Sequence, residues 1–435
     1  MTATVNSTSN LAEALEYRPV YAKVTWRLIP LLLLCYIVAY LDRVNVGFAK
    51  LQMLNELKFS ETVYGLGAGI FFAGYVFFEV PSNFILLRVG PRIWISRIMV
   101  TWAIISALMM YVTTPYEFYG LRFLLGVAEA GFIPAILYYL TIWFTSAQRG
   151  KATAVFLAGI PLSGVVGGPL SGWIMKSLNG AYGFAGWQWL FLLEALPAVL
   201  LGIVCFFYLD DDVASAKWLT ASEKEKIAAD LEAEAAPKAL NTRRHGLLSG
   251  RVWLMACTYF FFAAGLYGLS FWLPSIIRDS GVKDPLDVGL LTAIPYTAAF
   301  ITMYLVGRSS DALKERRWHL ALPALVGATG LALSVLYAQN TVLALAALTV
   351  AAAGIVTCIP MYFTIPPAYL HGGAAAMGLA IVNSVGNIAG FVSPYLLGWV
   401  KDLTGSTNIG VLILAGTLVI GALLVFANPA RVVNR

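Results

Sequence analysis

Apolar and polar positions follow one another along this chain in long blocks. Apolar runs of about 20 residues recur from end to end, which is the length that an α-helix needs to cross the hydrocarbon core of a bilayer. The polar stretches between them are short, except for one at 209–250. We predict twelve membrane-spanning helices, at 27–49, 62–87, 93–112, 116–144, 150–175, 187–208, 251–275, 286–308, 318–337, 341–366, 373–398 and 408–427.

The composition also indicates a membrane protein. Hydrophobic residues make up 59% of the 435 residues, charged residues make up 12%, and the mean hydropathy is +0.77. A soluble domain carries about 25% charged residues, so this chain has too few to cover a surface that faces water. The predicted class is an all-α membrane protein with twelve transmembrane helices in two six-helix halves.

The long polar stretch divides the predicted helices evenly. The expected units are an N-terminal tail at 1–26, a six-helix half at 27–208, a linker at 209–250, a second six-helix half at 251–427 and a C-terminal tail at 428–435. Inside the linker, Thr220 and Glu223 have the spacing of a capping box, which predicts the start of a helix. We interpret the charge runs of the linker as a solvated surface.

Basic residues predict the orientation of the chain. Twenty-one of the 29 Lys and Arg fall on the side of the termini and the linker, six fall on the opposite side, and Arg43 and Arg122 lie within predicted helices. By the positive-inside rule, we expect both termini in the cytoplasm of a multi-pass inner (plasma) membrane protein. The basic residues lie at alternate helix ends rather than on one face, so no nucleic-acid partner is expected. The lipid bilayer is the expected surrounding, and we expect a functional monomer.

Four ionisable residues interrupt the apolar pattern. Asp42 and Arg43 lie in the first predicted helix, and Arg122 and Glu129 lie in the fourth. Charge at membrane depth is costly and usually marks a transport pathway or a partner's pocket. Counting 1.5 Å per residue places Asp42, Arg43 and Arg122 at one level, roughly 10 Å beneath the surface opposite the termini. Glu129 falls deeper, near the middle of the membrane.

A set of polar residues falls near the same depths in the predicted bundle. Its members are Tyr40, Tyr75, Tyr267, Asn383 and Asn387. Each can donate a hydrogen bond to a substrate, but buried tyrosines and asparagines also satisfy backbone groups or link helices. Both uses therefore stay open. Two further acids, Glu79 and Glu194, are interpreted as contacts between packed helices.

Two arginines inside a helical bundle predict a binding site for a carboxylate. A guanidinium donates hydrogen bonds in a fork that matches a carboxylate, so Arg43 and Arg122 are candidate anion ligands. All three histidines fall in loops or at helix ends, so proton coupling would use Asp42 and Glu129. The alternatives are structural: Asp42 and Arg43 form an ion pair that holds helices together, and Glu129 neutralises Arg122.

The loops after the second and eighth predicted helices resemble one another. The first contains Arg88 and Arg92, and the second contains Gly307 and Asp311 followed by closely spaced basic residues. Two such loops, in a chain of two six-helix halves, resemble the gate loops of the major facilitator superfamily, whose halves surround a central cavity. The first loop has Leu87 where the family has an aspartate, which leaves the usual salt bridge of that loop without its acid.

Within that superfamily the chain resembles the anion:cation symporters. The resemblance rests on residues 41–45 in the first predicted helix, 120–131 in the fourth and 387–395 in the eleventh. It implies a proton-coupled importer of a small organic carboxylate, such as a hydroxy acid, a sugar acid or an aromatic acid. It also implies that Arg43 and Arg122 bind the anion while Asp42 and Glu129 bind the proton.

Two other functions stay open. Gly164, Gly168, Pro169 and Gly172 form a pattern associated with proton-coupled exporters of the superfamily, although small residues at this spacing also let helices approach closely. The third function is a transporter-derived sensor that binds a ligand without moving it. The sequence contains no enzyme motif, metal-ligand set or phosphate-binding loop, so we expect neither an enzyme nor a cofactor.

Overall fold

The structure, a computed structural model, describes residues 3–235, 250–369 and 373–434. Helices dominate these ranges: α1 Ala3–Val44, α2 Val46–Leu57, α3 Glu61–Val89, α4 Pro91–Leu108, α5 Pro115–Glu129, α6 Phe132–Trp143, α7 Ser146–Leu157, α8 Gly159–Ser177, α9 Gly186–Tyr208, α10 Ala221–Ala235, α11 Gly250–Asp279, α12 Pro285–Leu313, α13 Arg317–Leu336, α14 Thr341–Tyr362, α15 Gly373–Thr404, α16 Asn408–Val425 and α17 Ala430–Val433. Short 3-10 helices lie at Met109–Tyr111, Ala181–Gly183 and Pro366–Ala368.

Twelve helical segments of the described chain are long and apolar enough to cross a membrane. The predicted all-α class with twelve spans is confirmed. Three spans consist of two α-helices each: α1 with α2, α5 with α6, and α7 with α8. The sequence predicted continuous helices at these places.

The tail and the linker carry more helix than the hydropathy pattern indicated. α1 begins at Ala3, so most of the tail predicted at 1–26 continues the first helix. In the linker, α10 begins with the predicted capping box: the Thr220 N–H donates to Glu223 Oε2 (2.8 Å), and the Glu223 N–H donates to Thr220 Oγ1 (3.3 Å). Residues 236–249 of the linker and residue 435 of the C-terminal tail lie outside the described residues. The domain boundaries stay predictions.

The fourth span breaks near its centre, directly after Glu129. Pro134 has no N–H to donate, so the Ala130 carbonyl lacks its normal helical partner and accepts a hydrogen bond from Ser82 Oγ instead (2.6 Å). Gly131 turns the chain with φ +87°, a conformation that glycine adopts readily. In the first span, the interruption falls just after the Asp-Arg pair. Interrupted helices commonly build the binding sites of membrane transporters.

The two halves pack mainly along two pairs of helices, α3 with α15 and α8 with α12, and α2 also packs on α11. The glycines of the α8 pattern lie directly at the second contact. A Cβ atom on Gly168 would lie 2.6 Å from the Gly289 carbonyl oxygen, and one on Gly172 would lie 2.5 Å from the Pro285 carbonyl oxygen. The pattern therefore permits close packing between the halves.

Polar contacts join the halves on the side opposite the termini. Glu61 on α3 pairs with Lys50 in its own half (2.6 Å) and with Lys401 on α15 in the other half (3.0 Å). Nearby, the Tyr64 hydroxyl donates to the Phe271 carbonyl oxygen (2.7 Å). These contacts close this end of the bundle.

Candidate functional site

Arg43 and Glu129 form an ion pair in the membrane core. The pair joins α1 to the last residue of α5, beside the break in the fourth span, and its side chains are 3% and 1% exposed. The direct ion-pair partner of Glu129 is therefore Arg43, while Arg122 interacts with Glu129 at longer range. Arginine has a long stem, which lets Arg43 reach an acid that depth counting placed farther from the surface.

Aromatic side chains from both halves surround the pair. The Arg43 guanidinium lies 5.2 Å from the ring centre of Phe71 and 5.4 Å from that of Tyr75. The buried Tyr75 hydroxyl has no hydrogen-bond partner among the described residues. From the second half, Tyr267 packs against Phe72 with ring centres 4.5 Å apart. Tyr267 also interacts electrostatically with both Arg43 and Glu129, so a tyrosine of each half lies close to this pair.

Arg122 is fully buried against the backbone of α3. Its Nε donates to the Gly67 carbonyl oxygen (3.2 Å), and its Nη2 donates to the Ala68 carbonyl oxygen (3.4 Å). Its Nη1 is buried and has no hydrogen-bond partner in the described part of the chain. Arg122 therefore holds α5 to α3 through two of its three nitrogens.

Asp42 faces away from Arg43. It accepts a hydrogen bond from the Ser106 hydroxyl on α4, while its Oδ2 has no hydrogen-bond partner among the described residues. Consecutive residues of a helix point about 100° apart, which is why the two neighbours do not pair. The alternative in which Asp42 and Arg43 form a structural ion pair is wrong.

Two of the predicted polar residues connect the halves. The hydroxyls of Tyr40 and Ser270 lie 3.1 Å apart, and the Asn383 amide donates to Glu79 Oε1 (2.7 Å). Asn387 is buried one turn farther along α15. The interpretation of Glu79 as a packing contact missed its bond to a predicted site residue. The sequence signal that could have placed Glu79 near the site was its position on α3, one helical turn after Tyr75.

Among the described residues, the ion pairs of the predicted gate loops do not join the two halves. Arg92 Nε lies 3.3 Å from Asp211 Oδ2, and the Arg92 N–H donates to Asp211 Oδ1 (3.1 Å). Asp211 belongs to the linker, whose charges we expected to form a solvated surface. Its carboxylate instead takes part in an ion pair. It also provides the first loop with the acid that the sequence of this loop lacks. In the second loop, Arg316 donates to Asp311 (2.7 Å). The other predicted residues of these loops are Arg88 in α3 and Gly307 in α12.

Comparison with known families agrees with this architecture. The Major Facilitator Superfamily model matches residues 32–394. The chain belongs to the major facilitator superfamily. A solved D-xylose-proton symporter shares its fold, with a TM-score of 0.74 and 14% identity over 93% of this chain and 98% of that one.

Several named transporters are similar over nearly the whole chain. A metabolite transport protein of Pseudomonas putida, provisionally named NicT, is 50% identical over 420 residues, 96% of each chain. A provisionally named tartrate transporter of Agrobacterium vitis is 48% identical over 408 residues, 93% of each chain. A quinolone resistance transporter of Acinetobacter baumannii is 39% identical over 417 residues, 95% of this chain and 96% of its own. The protein is therefore a membrane transporter and not an enzyme.

Proposed function

We propose that this transporter imports a small organic carboxylate together with protons across the inner membrane, with both termini in the cytoplasm. The buried Arg43–Glu129 ion pair carries the proposal. It places the residue type that binds carboxylates in direct contact with an acid that a proton can neutralise. The excess of Lys and Arg on the side of the termini supports the orientation.

The pair couples the two solutes because they act on the same guanidinium. While Glu129 is ionised, it occupies the Arg43 fork, and a substrate carboxylate must compete with it. A proton on Glu129 removes that competition and leaves Arg43 free to bind the substrate. Anion and proton together keep the buried site neutral, whereas either one alone leaves an uncompensated charge that is costly at membrane depth. Each ligand therefore favours the binding of the other.

The neighbouring residues fit a carboxylate that carries further polar groups. In this proposal the hydroxyl of Tyr75 donates to the substrate, Tyr267 and Asn383 contact it from the second half, and the free Nη1 of Arg122 provides a second anion contact. Asp42 is proposed as a second proton-binding residue. Tartrate is a hydroxy acid with two carboxylates. The similarity to a relative named for tartrate transport therefore supports this substrate class.

Transport by purified protein in lipid vesicles tests the proposal. An inward proton gradient should drive accumulation of labelled tartrate by the wild type. Glu129→Gln should abolish this accumulation, because the pair can no longer respond to protons, while exchange of tartrate across the membrane without a gradient continues. Glu117→Gln is the matched control, since this acid lies at the exposed start of the same helix and should leave accumulation intact. Equal loss of accumulation and exchange in Glu129→Gln would contradict the proton role.

An exporter is the second candidate, favoured by the similarity to the quinolone resistance transporter. Quinolones also carry a carboxylate, so the Arg43 fork suits both substrate classes and the direction of flux distinguishes them. Proton-driven extrusion of a quinolone from the vesicles, with no accumulation of tartrate, would replace the importer by the exporter. Binding of tartrate without any flux would favour a sensor.

A further inference from the structure

A second group of buried polar side chains lies behind the proposed substrate site. Asp42 on α1, Glu194 on α9 and Asn45, between α1 and α2, are each 1% exposed. Ser106 donates a hydrogen bond to Asp42, and Ser171 donates one to Glu194 Oε1 (2.6 Å). The proposed mechanism so far uses Asp42 alone from this group.

Several polar atoms in this group lack hydrogen-bond partners within the described residues. They are Asp42 Oδ2, Glu194 Oε2 and both polar atoms of the Asn45 amide. Asn45 is near enough to interact with both carboxyl groups, although it forms no hydrogen bond of normal geometry with either.

Glu194 has an acid rather than a cation as its charged neighbour. Four α-helices, namely α1, α2, α4 and α8, and the 3-10 helix Met109–Tyr111 pack on α9. The charged group that they bring into electrostatic contact with Glu194 is Asp42, and in the described structure no Lys or Arg pairs with Glu194. Asp42 also interacts electrostatically with Arg122 and Glu129, so Arg122 can offset a charge on Asp42, but no such cation acts on Glu194. Two neighbouring acids in this arrangement cannot both ionise at low cost in a membrane. At least one of the two therefore holds a proton.

We propose that Glu194 is a further proton-binding residue of the transport cycle, whose protonation is coupled to that of Asp42 through the amide of Asn45. The inference rests on the proposed proton coupling. An amide oxygen can accept a hydrogen bond from a protonated acid, while the amide N–H can donate to an ionised acid. A proton on Glu194 therefore favours the charged form of Asp42, and loss of that proton favours the protonated form of Asp42.

The coupling would link the proposed anion site to an acid outside it. The charge of Asp42 acts on Arg122, the second guanidinium of that site. A change in the protonation of Glu194 would therefore alter the charge close to Arg122.

Infrared spectroscopy of the full chain in lipid vesicles tests the inference without a substrate. Protonated carboxyl groups give separate bands, which can be followed over a pH series. Glu194→Gln should remove one such band and shift the pH midpoint of the Asp42 band, which Asp42→Asn identifies. Asn45→Leu keeps both acids and should make their titrations independent. Glu79→Gln is the spectroscopic control, because this buried acid on α3 bonds to Asn383 and should leave the Asp42 midpoint unchanged.

Transport measurements separate this inference from the proposed function. Glu194→Gln should stop proton-driven accumulation, so that tartrate only reaches equal concentrations on the two sides of the membrane. Glu194→Asp should restore the accumulation in part. An unchanged Asp42 midpoint in Glu194→Gln, with wild-type accumulation intact, would overturn the role of Glu194 alone. Absence of proton-driven accumulation in the wild type would overturn the proposed function, and the infrared titrations would still decide whether the two acids are coupled.

Discussion

Asp402 caps a helix of the opposite half of the protein. It lies near the end of α15, and its carboxylate accepts hydrogen bonds from the backbone N–H groups of Glu61 (3.1 Å) and Thr62 (2.7 Å), at the start of α3. The contact lies on the side opposite the termini, where the bundle is closed. A state that opens this end must separate the two helices and break both hydrogen bonds.

We predict that Asp402→Ala shifts the protein towards the state that is open on this side. A capping side chain contributes about 0.5–2 kcal/mol, and a negative charge at a helix N-terminus contributes about 0.3–1 kcal/mol. Asp402 is exposed, so the lower part of these ranges applies and the closed state should lose about 1–2 kcal/mol. That loss corresponds to a roughly 5- to 30-fold change in the equilibrium between the two states.

Distances between spin labels on the two halves measure this equilibrium. Asn55 and Lys283 are exposed on the relevant side and belong to different halves, so cysteines at these positions can carry the labels. The native Cys257 is exposed and must be replaced first. In Asp402→Ala, the population with the longer distance should increase by the predicted factor.

Glu117→Ala is a matched control for this experiment. Glu117 Oε2 accepts hydrogen bonds from the backbone N–H groups of Thr113 (2.8 Å) and Thr114 (3.1 Å), so it also caps a helix with a carboxylate on the same side. This cap lies within a single half and does not need to break when the halves separate. A distance distribution that is unchanged in Asp402→Ala, or equally changed in Glu117→Ala, would refute the reasoning.

Two further predictions concern the side of the termini. Asp211→Asn should lower the free energy of unfolding by no more than about 1 kcal/mol in a thermal unfolding assay, because the Arg92–Asp211 pair is partly exposed. Burial raises the pKa of Glu315, but hydrogen bonds from the Trp318 and His319 N–H groups outweigh it and hold this pKa below its usual value. The stabilisation from Glu315 should therefore be present above its unfolded pKa and be lost as the pH falls through the folded pKa, and Glu315→Gln should flatten the acid side of the unfolding profile.

The sequence predicted the membrane spans well because their signal is local. Length and hydropathy alone determine whether a segment can cross a bilayer, and the capping box of α10 likewise depends on residues three positions apart. The candidate site was harder because its contacts depend on direction as well as depth. Counting residues from a helix end gives the level of Asp42 and Arg43, but it does not tell which neighbouring helix each side chain faces.

Breaks in the helices limited the prediction further. Depth counting assumes a continuous helix, whereas the fourth span ends its first helix at Glu129 and restarts at Phe132. The signal for this break was present in Pro134 and Gly131, but proline and glycine occur in many membrane helices without such a break. The pairing of Asn383 with Glu79 required knowledge of how α3 and α15 face one another, which a single sequence does not contain.

The adjacent placement of Asp42 and Arg43 gives a physical reason for coupling between two separate polar regions. Arg43 faces Glu129 and the tyrosines of the proposed substrate site, while Asp42 faces Ser106 and the group around Asn45. Both side chains extend from one turn of α1, so a movement of that turn towards a bound anion also changes the surroundings of Asp42. Coupling between sites requires an element whose position both of them affect. We therefore expect the end of α1, interrupted at Asn45, to carry the proposed coupling between the two regions.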